Sequence, residues 1–233
     1  MHIGDRAVAL AYRLAAAATV AVALGRLMLH PTGIVRWEQL NYFTFLSALW
    51  GLLLLAASAL QTAYRLGRSG RRGSSALPAG IVGAVTLSCT ITMLVYHLVL
   101  FPHRAALGLR RLTAPDLMIH YVTPLVVIGN WLLLVPKGRY RALDPLLWLL
   151  LPLAYLGYSM LRAALGGSFP GGERYPYYFI DVDIIGWRIW WRNVALCLLA
   201  FGALGYLYYG LDAGLAWLGR RIGACRQGPG RAE

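Results

Sequence analysis

The sequence predicts an all-α, polytopic membrane helix bundle with six transmembrane helices. Three observations predict it. First, 59% of the 233 residues are hydrophobic and only 13% are charged, whereas soluble domains carry roughly 25% charged residues. Second, the apolar residues run in long blocks, as at 52–60 and 146–153, with no alternation and no narrow helical stripe. A spanning helix needs about 20 mostly apolar residues, each rising 1.5 Å, to cross ~30 Å of hydrocarbon. Third, the arginines and helix breakers collect between the blocks.

The spans are expected near 7–28, 41–62, 79–101, 115–135, 144–164 and 186–211. The first block lacks a small-x-small cleavage site followed by a polar start, so it is read as a retained helix rather than a signal peptide. Pro31 and Gly33 break the first connector, and Gly67, Gly70 and Gly73 break the second among Arg65, Arg68, Arg71 and Arg72. Pro102 and Pro115 bracket the third, Pro136 and Gly138 open the fourth, and Gly166, Gly167, Pro170, Gly171 and Gly172 fill the fifth. Trp50, Trp131, Trp148 and the tryptophans of 187–191 suit interfacial belts. Residues 1–219 form one transmembrane domain in this reading, and 220–233 a short, basic, disordered tail.

A formal charge of +13 would suit nucleic acid. The basic residues instead sit in short clusters between apolar blocks, where membrane topology puts them, so nucleic acid is not expected as a partner. With both termini cytoplasmic, the inner connectors and termini carry the larger share of the 22 Lys and Arg, as the positive-inside bias requires. The location expected is therefore a cell membrane, crossed repeatedly. Cys89 and Cys197 fall inside apolar blocks and Cys225 in the tail, with neither a disulfide framework nor a metal-binding CxxC pattern. No cofactor and no metal are expected.

Polar side chains inside a membrane are costly, and they mark candidate function. Thr44 falls early in the second span, His120 early in the fourth, His97 late in the third, and Asp181 and Asp183 just before the sixth. All lie toward one side of the bilayer. On span two, Asn41, Thr44, Ala48 and Gly51 recur at three- and four-residue steps with Ser47 beside them; on span three, Thr86, Thr90, Met93 and His97 do the same. Helix packing explains such stripes too, because a membrane threonine ordinarily bonds its own carbonyl four residues back.

His120 is the most informative residue. Thr113 and Asp116 read as a cap and an acidic partner three residues on. Asp116 is four residues before His120 and is placed to orient one imidazole nitrogen. Pro124 removes the backbone bond to the carbonyl of residue 120, so a kink is expected at the histidine. A hydroxyl and an imidazole at one depth suggest nucleophilic catalysis by Thr44 with His120 as base and Asp116 as orienting group. Asn41 is a candidate donor to an oxyanion. Asp181 and Asp183 would orient His120, pair with Arg188, or cap span six.

The segment Asn41-Tyr-Phe-Thr44-Phe, the His120…Pro124 motif and Tyr175-Pro-Tyr-Tyr-Phe-Ile-Asp181-Val-Asp183 resemble the bacterial six-helix branch related to the androgen-induced (FAR-17a-like) membrane proteins. The resemblance covers nearly the whole chain. Animal members are threonine hydrolases that cleave fatty acid esters of hydroxy fatty acids. The resemblance implies a catalytic pair of Thr44 and His120; it carries no role for the Tyr-Pro-Tyr…Asp loop. The expected function is an intramembrane lipid ester hydrolase, with membrane lipids and a long-chain acyl ester as its partners. Two other classes remain open at the level of sequence: a carrier or scaffold for lipid or a small solute, and a haem protein using His97 and His120.

Overall fold

The computed structural model describes residues 2–29, 32–108 and 112–226. It is 78% helical, without strands, and six of its helices are long and apolar enough to span a membrane. They are α1 (Arg6–Met28), α2 (Phe43–Ser69), α3 (Ala79–Ala106), α4 (Ala114–Leu134), α5 (Asp144–Ala164) and α6, whose spanning part is Val182–Ile222. The protein is a multi-pass membrane protein, and the even number of spans leaves both termini at one end of the bundle.

Local chemistry sets the helix ends. Asp5 caps α1, its carboxylate accepting from the N–H groups of Ala7 at 2.9 Å and Val8 at 3.2 Å, and it also pairs with Arg71 at 2.8 Å. The second and sixth helices outrun their apolar blocks. α2 continues to Ser69 and α6 to Arg226, so Gly67 and the first residues of the expected tail are helical. Hydropathy ends where the bilayer ends, whereas a helix ends where its backbone is capped. The expected tail residues 227–233 and the connector arginines Arg110 and Arg111 lie outside the described residues. Gly186 adopts φ 71°, a left-handed conformation that glycine tolerates without a Cβ clash, and α6 begins its straight course there.

Prolines shape three spans rather than the one expected from Pro124. In α5 the turn at Leu149 separates 144–148 from 150–164, because Pro152 has no N–H for the Trp148 carbonyl. α3 and α4 each contain a π-turn, at Tyr96–Leu100 and Met118–Val122.

α1 packs along α2 and α4, and α3 runs through the centre against α2, α4, α6 and the first turn of α5. Val20, Leu55, Leu87 and Val127 are wholly buried where these helices meet. The strongest polar fastener is Arg13 of α1, fully buried. Its guanidinium donates to Asn130 Oδ1 of α4 at 2.9 Å, to the Ser58 carbonyl at 3.3 Å and Thr62 hydroxyl of α2, and to the Ser75 carbonyl at 3.0 Å. Among the described residues no carboxylate pairs with it. Only the fork of guanidinium donors spans acceptors on three segments at once.

Replacing Arg13 by Ala takes this donor from Asn130 Oδ1 and the Ser75 carbonyl in an apolar interior, at about 1–3 kcal/mol for each one left unpaired, while Thr62 and the Ser58 carbonyl keep their bond to each other. Thermal unfolding in detergent is expected to drop by on the order of 3 kcal/mol in unfolding free energy. Arg13→Lys should recover only part of this, and Arg68→Ala, on the exposed end of α2, should lose almost nothing. An Arg13→Ala protein as stable as wild type would contradict the fastener role.

Candidate active site

Two proline-adjacent π-turns build the site. Pro124 cannot donate to the carbonyl of His120, and the helix widens just before it, with Thr123 N–H reaching the Met118 carbonyl. Pro102 follows a matching turn in α3, where Phe101 N–H reaches the Tyr96 carbonyl. Such π-turns rotate side chains relative to a regular helix and recur at functional sites. Here they bring Tyr96 and His120 face to face, with ring centroids 3.6 Å apart and planes at 14°.

His120 is half-buried, and its Nδ1 lies 3.1 Å from the backbone carbonyl of Asp116. A carbonyl only accepts, so Nδ1 carries the proton and Nε2 keeps its lone pair. Asp116 thus orients His120, but through its main chain. Its carboxylate is engaged elsewhere. It closes a capping box with Thr113, accepting from that backbone N–H at 3.3 Å and hydroxyl at 2.8 Å, and it pairs with Arg104 at 3.5 Å. The expected carboxylate–imidazole contact is replaced because the first turn of α4 needs its cap.

Thr44 is the second residue of α2. This position separates it from the hydroxyls that are returned to their own helix. Thr19, Thr62, Thr86, Ser88 and Thr90 all donate to the carbonyl four residues back, at 2.6–3.0 Å. The carbonyl four residues behind, that of Leu40, belongs to a separate 3-10 turn (Trp37–Asn41) rather than to α2, and the Thr44 hydroxyl faces Tyr177 instead. Tyr177 comes from the connector between α5 and α6, and its oxygen also lies against the backbone N–H groups of Phe43 and Thr44, which a helix start leaves free. Burial pushes the Tyr177 phenol up from its ordinary value, so it stays protonated.

Thr44 and His120 line one cavity of about 430 Å³, shared with Gln39, Tyr42, Tyr96, His103, Arg104, Asp116 and Tyr177. No hydrogen bond joins the two among the described residues; both face the cavity.

The other expected site residues lie elsewhere. His97 is exposed and meets the Tyr121 hydroxyl at 3.0 Å, because it is one residue on from Tyr96 and points to a different side of the helix. His97 and His120 therefore do not face each other as paired haem ligands must. Asn41 ties the start of α2 to α5: its carbonyl accepts from Tyr155 at 2.9 Å and its side-chain oxygen from the Tyr158 hydroxyl. It does not line the cavity. Asp181 caps the start of α6, accepting from the N–H groups of Asp183 at 3.0 Å and Ile184 at 3.3 Å. Asp183 pairs with Arg174 at 2.8 Å, not with Arg188. Both aspartates serve the connector and its helix.

Sequence reading missed Tyr96, Arg104 and Tyr177. The proline argument applied to Pro124 holds equally for Pro102 and points to the turn bearing Tyr96. Tyr177 lies inside the quoted Tyr-Pro-Tyr-Tyr motif, but the distance from Thr44 in the chain hides their contact. No family model, curated protein or solved structure matches this chain.

The carbonyl contact makes a spectroscopic prediction. In ¹⁵N-histidine-labelled protein at neutral pH, the His120 ring should show a protonated Nδ1 and an unprotonated Nε2. Assignment of the proton to Nε2 would contradict the geometry.

Proposed function

We propose that the protein is an intramembrane hydrolase of long-chain lipid esters, with Thr44 as nucleophile and His120 as general base. The observation that carries this reading is that a hydroxyl and an imidazole nitrogen, neither bound by its own helix, line one cavity. The Thr44 hydroxyl is not returned to its own helix, and the His120 Nε2 lone pair is open while its Nδ1 is held. The sequence resemblance supports the same pair.

In this mechanism Thr44 Oγ1 attacks the ester carbonyl carbon and its proton passes to His120 Nε2. The carbonyl oxygen becomes an oxyanion at the start of α2. There the Tyr177 hydroxyl is the nearest donor; the Phe43 and Thr44 N–H groups, which face the Tyr177 oxygen in the unliganded protein, become donors to the oxyanion only if that oxygen moves aside, and the positive end of the helix dipole lies beneath them. Collapse breaks the ester C–O bond, and His120 returns its proton to the leaving alkoxide. Water then attacks the acyl-threonine, again losing its proton to His120, and the acid leaves with Thr44 restored. The Asp116 carbonyl acts as a positioning group that stabilises the imidazolium. The arginine bias supports cytoplasmic termini, and with them this cavity would face the outer side.

The test is turnover of long-chain esters by purified protein. Thr44→Ala and His120→Ala are expected to reduce kcat to background. Tyr177→Phe should cost about 10²-fold in kcat, the scale for one oxyanion donor. Asn41→Ala and His97→Ala, outside the cavity, should stay within a few-fold of wild type. Full turnover by Thr44→Ala would defeat the assignment of the nucleophile, and absence of turnover by the wild-type protein would favour a non-catalytic lipid carrier.

A further inference from the structure

Thr44 borders a second space on its other side. A slot of about 90 Å³ runs from it between α3, α5 and α6. No charged residue lines it. Its walls are apolar, with Ile91, Leu153, Leu156, Leu198 and Phe201 the main contributors, and polar atoms are confined to the Thr44, Thr92, Tyr155 and Tyr177 hydroxyls and the Cys197 thiol. Thr92 is already bound to Ser47 at 2.7 Å, and Tyr155 to the Asn41 carbonyl.

The slot is a wedge. At its closed end α5 and α6 nearly touch: a Cβ on Gly205 would lie 3.1 Å from Pro145 Cβ, and one on Gly202 would lie 3.9 Å from Leu149. From there toward Leu153 and Leu156 the helices diverge. The top is roofed by the small cluster of Ile180, Trp190 and Val194, packed with Leu156 and Phe179. The side is not sealed: Leu153 is 38% exposed, and Cys197, Leu198 and Phe201 are partly exposed. Ile91 is twelve residues into α3, about 18 Å along its axis at 1.5 Å per residue, which puts the slot at hydrocarbon depth.

We propose that this slot is a binding site for a single hydrocarbon chain of a membrane lipid, admitted sideways from the bilayer between α5 and α6. Lining chemistry selects an alkyl chain, since a polar or charged group would be left without partners. Continuity selects a lipid: the apolar slot and the polar cavity meet at Thr44, as the tail and head of an amphiphile meet at its ester. Placing the ester at Thr44 rests on the hydrolase reading; occupancy of the slot by a chain does not. Joined to that reading, the slot takes the acyl side of the ester. The chain stays in place in the acyl-threonine, and the alcohol leaves through the polar cavity past Arg104 and His103. The substrate class is then an ester of an unbranched acyl chain with a polar alcohol.

The test uses a non-hydrolysable alkyl glycerol ether carrying a diazirine midway along its chain, incorporated with the protein in lipid nanodiscs. After irradiation, adducts are mapped in wild type, in Thr44→Ala and in Leu153→Trp/Leu198→Trp. The expected result is enrichment at Leu153, Leu156, Leu198 and Phe201 over the lipid-facing Leu14 and Leu60, equal in wild type and Thr44→Ala, and several-fold lower in the double tryptophan variant. Labelling of Leu14 and Leu60 as strong as that of the slot, or slot labelling untouched by the tryptophans, would overturn the proposal. Slot labelling in a protein that hydrolyses no ester would retain the chain site and discard the hydrolase reading; hydrolysis without slot labelling would do the reverse.

Discussion

A buried arginine organises this bundle. Charge at membrane depth is tolerated only where the protein replaces water, and Arg13 is served by acceptors from α2, α4 and the Ser75 connector. Those acceptors come from segments distant in sequence, so satisfying one side chain sets the register of three. Asn130 anchors α4 at this end; His120, ten residues earlier on the same helix, lies about 15 Å away at 1.5 Å per residue. The placement of His120 opposite the start of α2 thus depends on how α4 is held at its other end. Lys137 extends the same logic, donating to the Trp131 and Val135 carbonyls at the end of α4.

At the opposite end, backbone irregularity replaces charge as the organising device. A regular helix can return a threonine hydroxyl to its own carbonyls, as the bundle does at Thr19, Thr62, Thr86 and Thr90. The irregular places are the start of α2, at Thr44, and the turns where a proline removes a donor, before Pro102 and Pro124. The widened turns give the Tyr96–His120 stack, and the stack with the Asp116 carbonyl leaves one imidazole nitrogen open to the cavity. The site is therefore made by what the helices fail to satisfy internally, which is the condition under which polar groups in a membrane remain available for chemistry.

The six spans, the cap at Thr113 and Asp116 and the irregular turn at Pro124 were legible in the sequence because each rests on short-range rules: block hydropathy, capping and the missing proline N–H. The helix ends past Arg65 and residue 211 were not, since hydropathy does not report capping. The common depth of Thr44, His97, His120, Asp181 and Asp183 was read correctly as proximity to one end of the bundle, but depth says nothing about direction. A single residue step on α3 separates Tyr96, which meets His120, from His97, which does not. Asp116 shows the same limit at finer scale: its spacing to His120 was informative, yet the atom that makes the contact is the carbonyl, because Thr113 and Arg104 hold the carboxylate. Arg13 and Tyr177 depend on contacts across the bundle that no local pattern encodes.

The central claim is that Thr44 is a nucleophile activated by His120. It is tested most directly by treating folded, purified protein with a long-chain alkyl fluorophosphonate and locating the adduct by peptide mass spectrometry. The account predicts a single phosphonylated residue, Thr44, with labelling lost in His120→Ala. An unlabelled wild-type protein, an adduct on another hydroxyl, or equal labelling of Thr44 without His120 would contradict it.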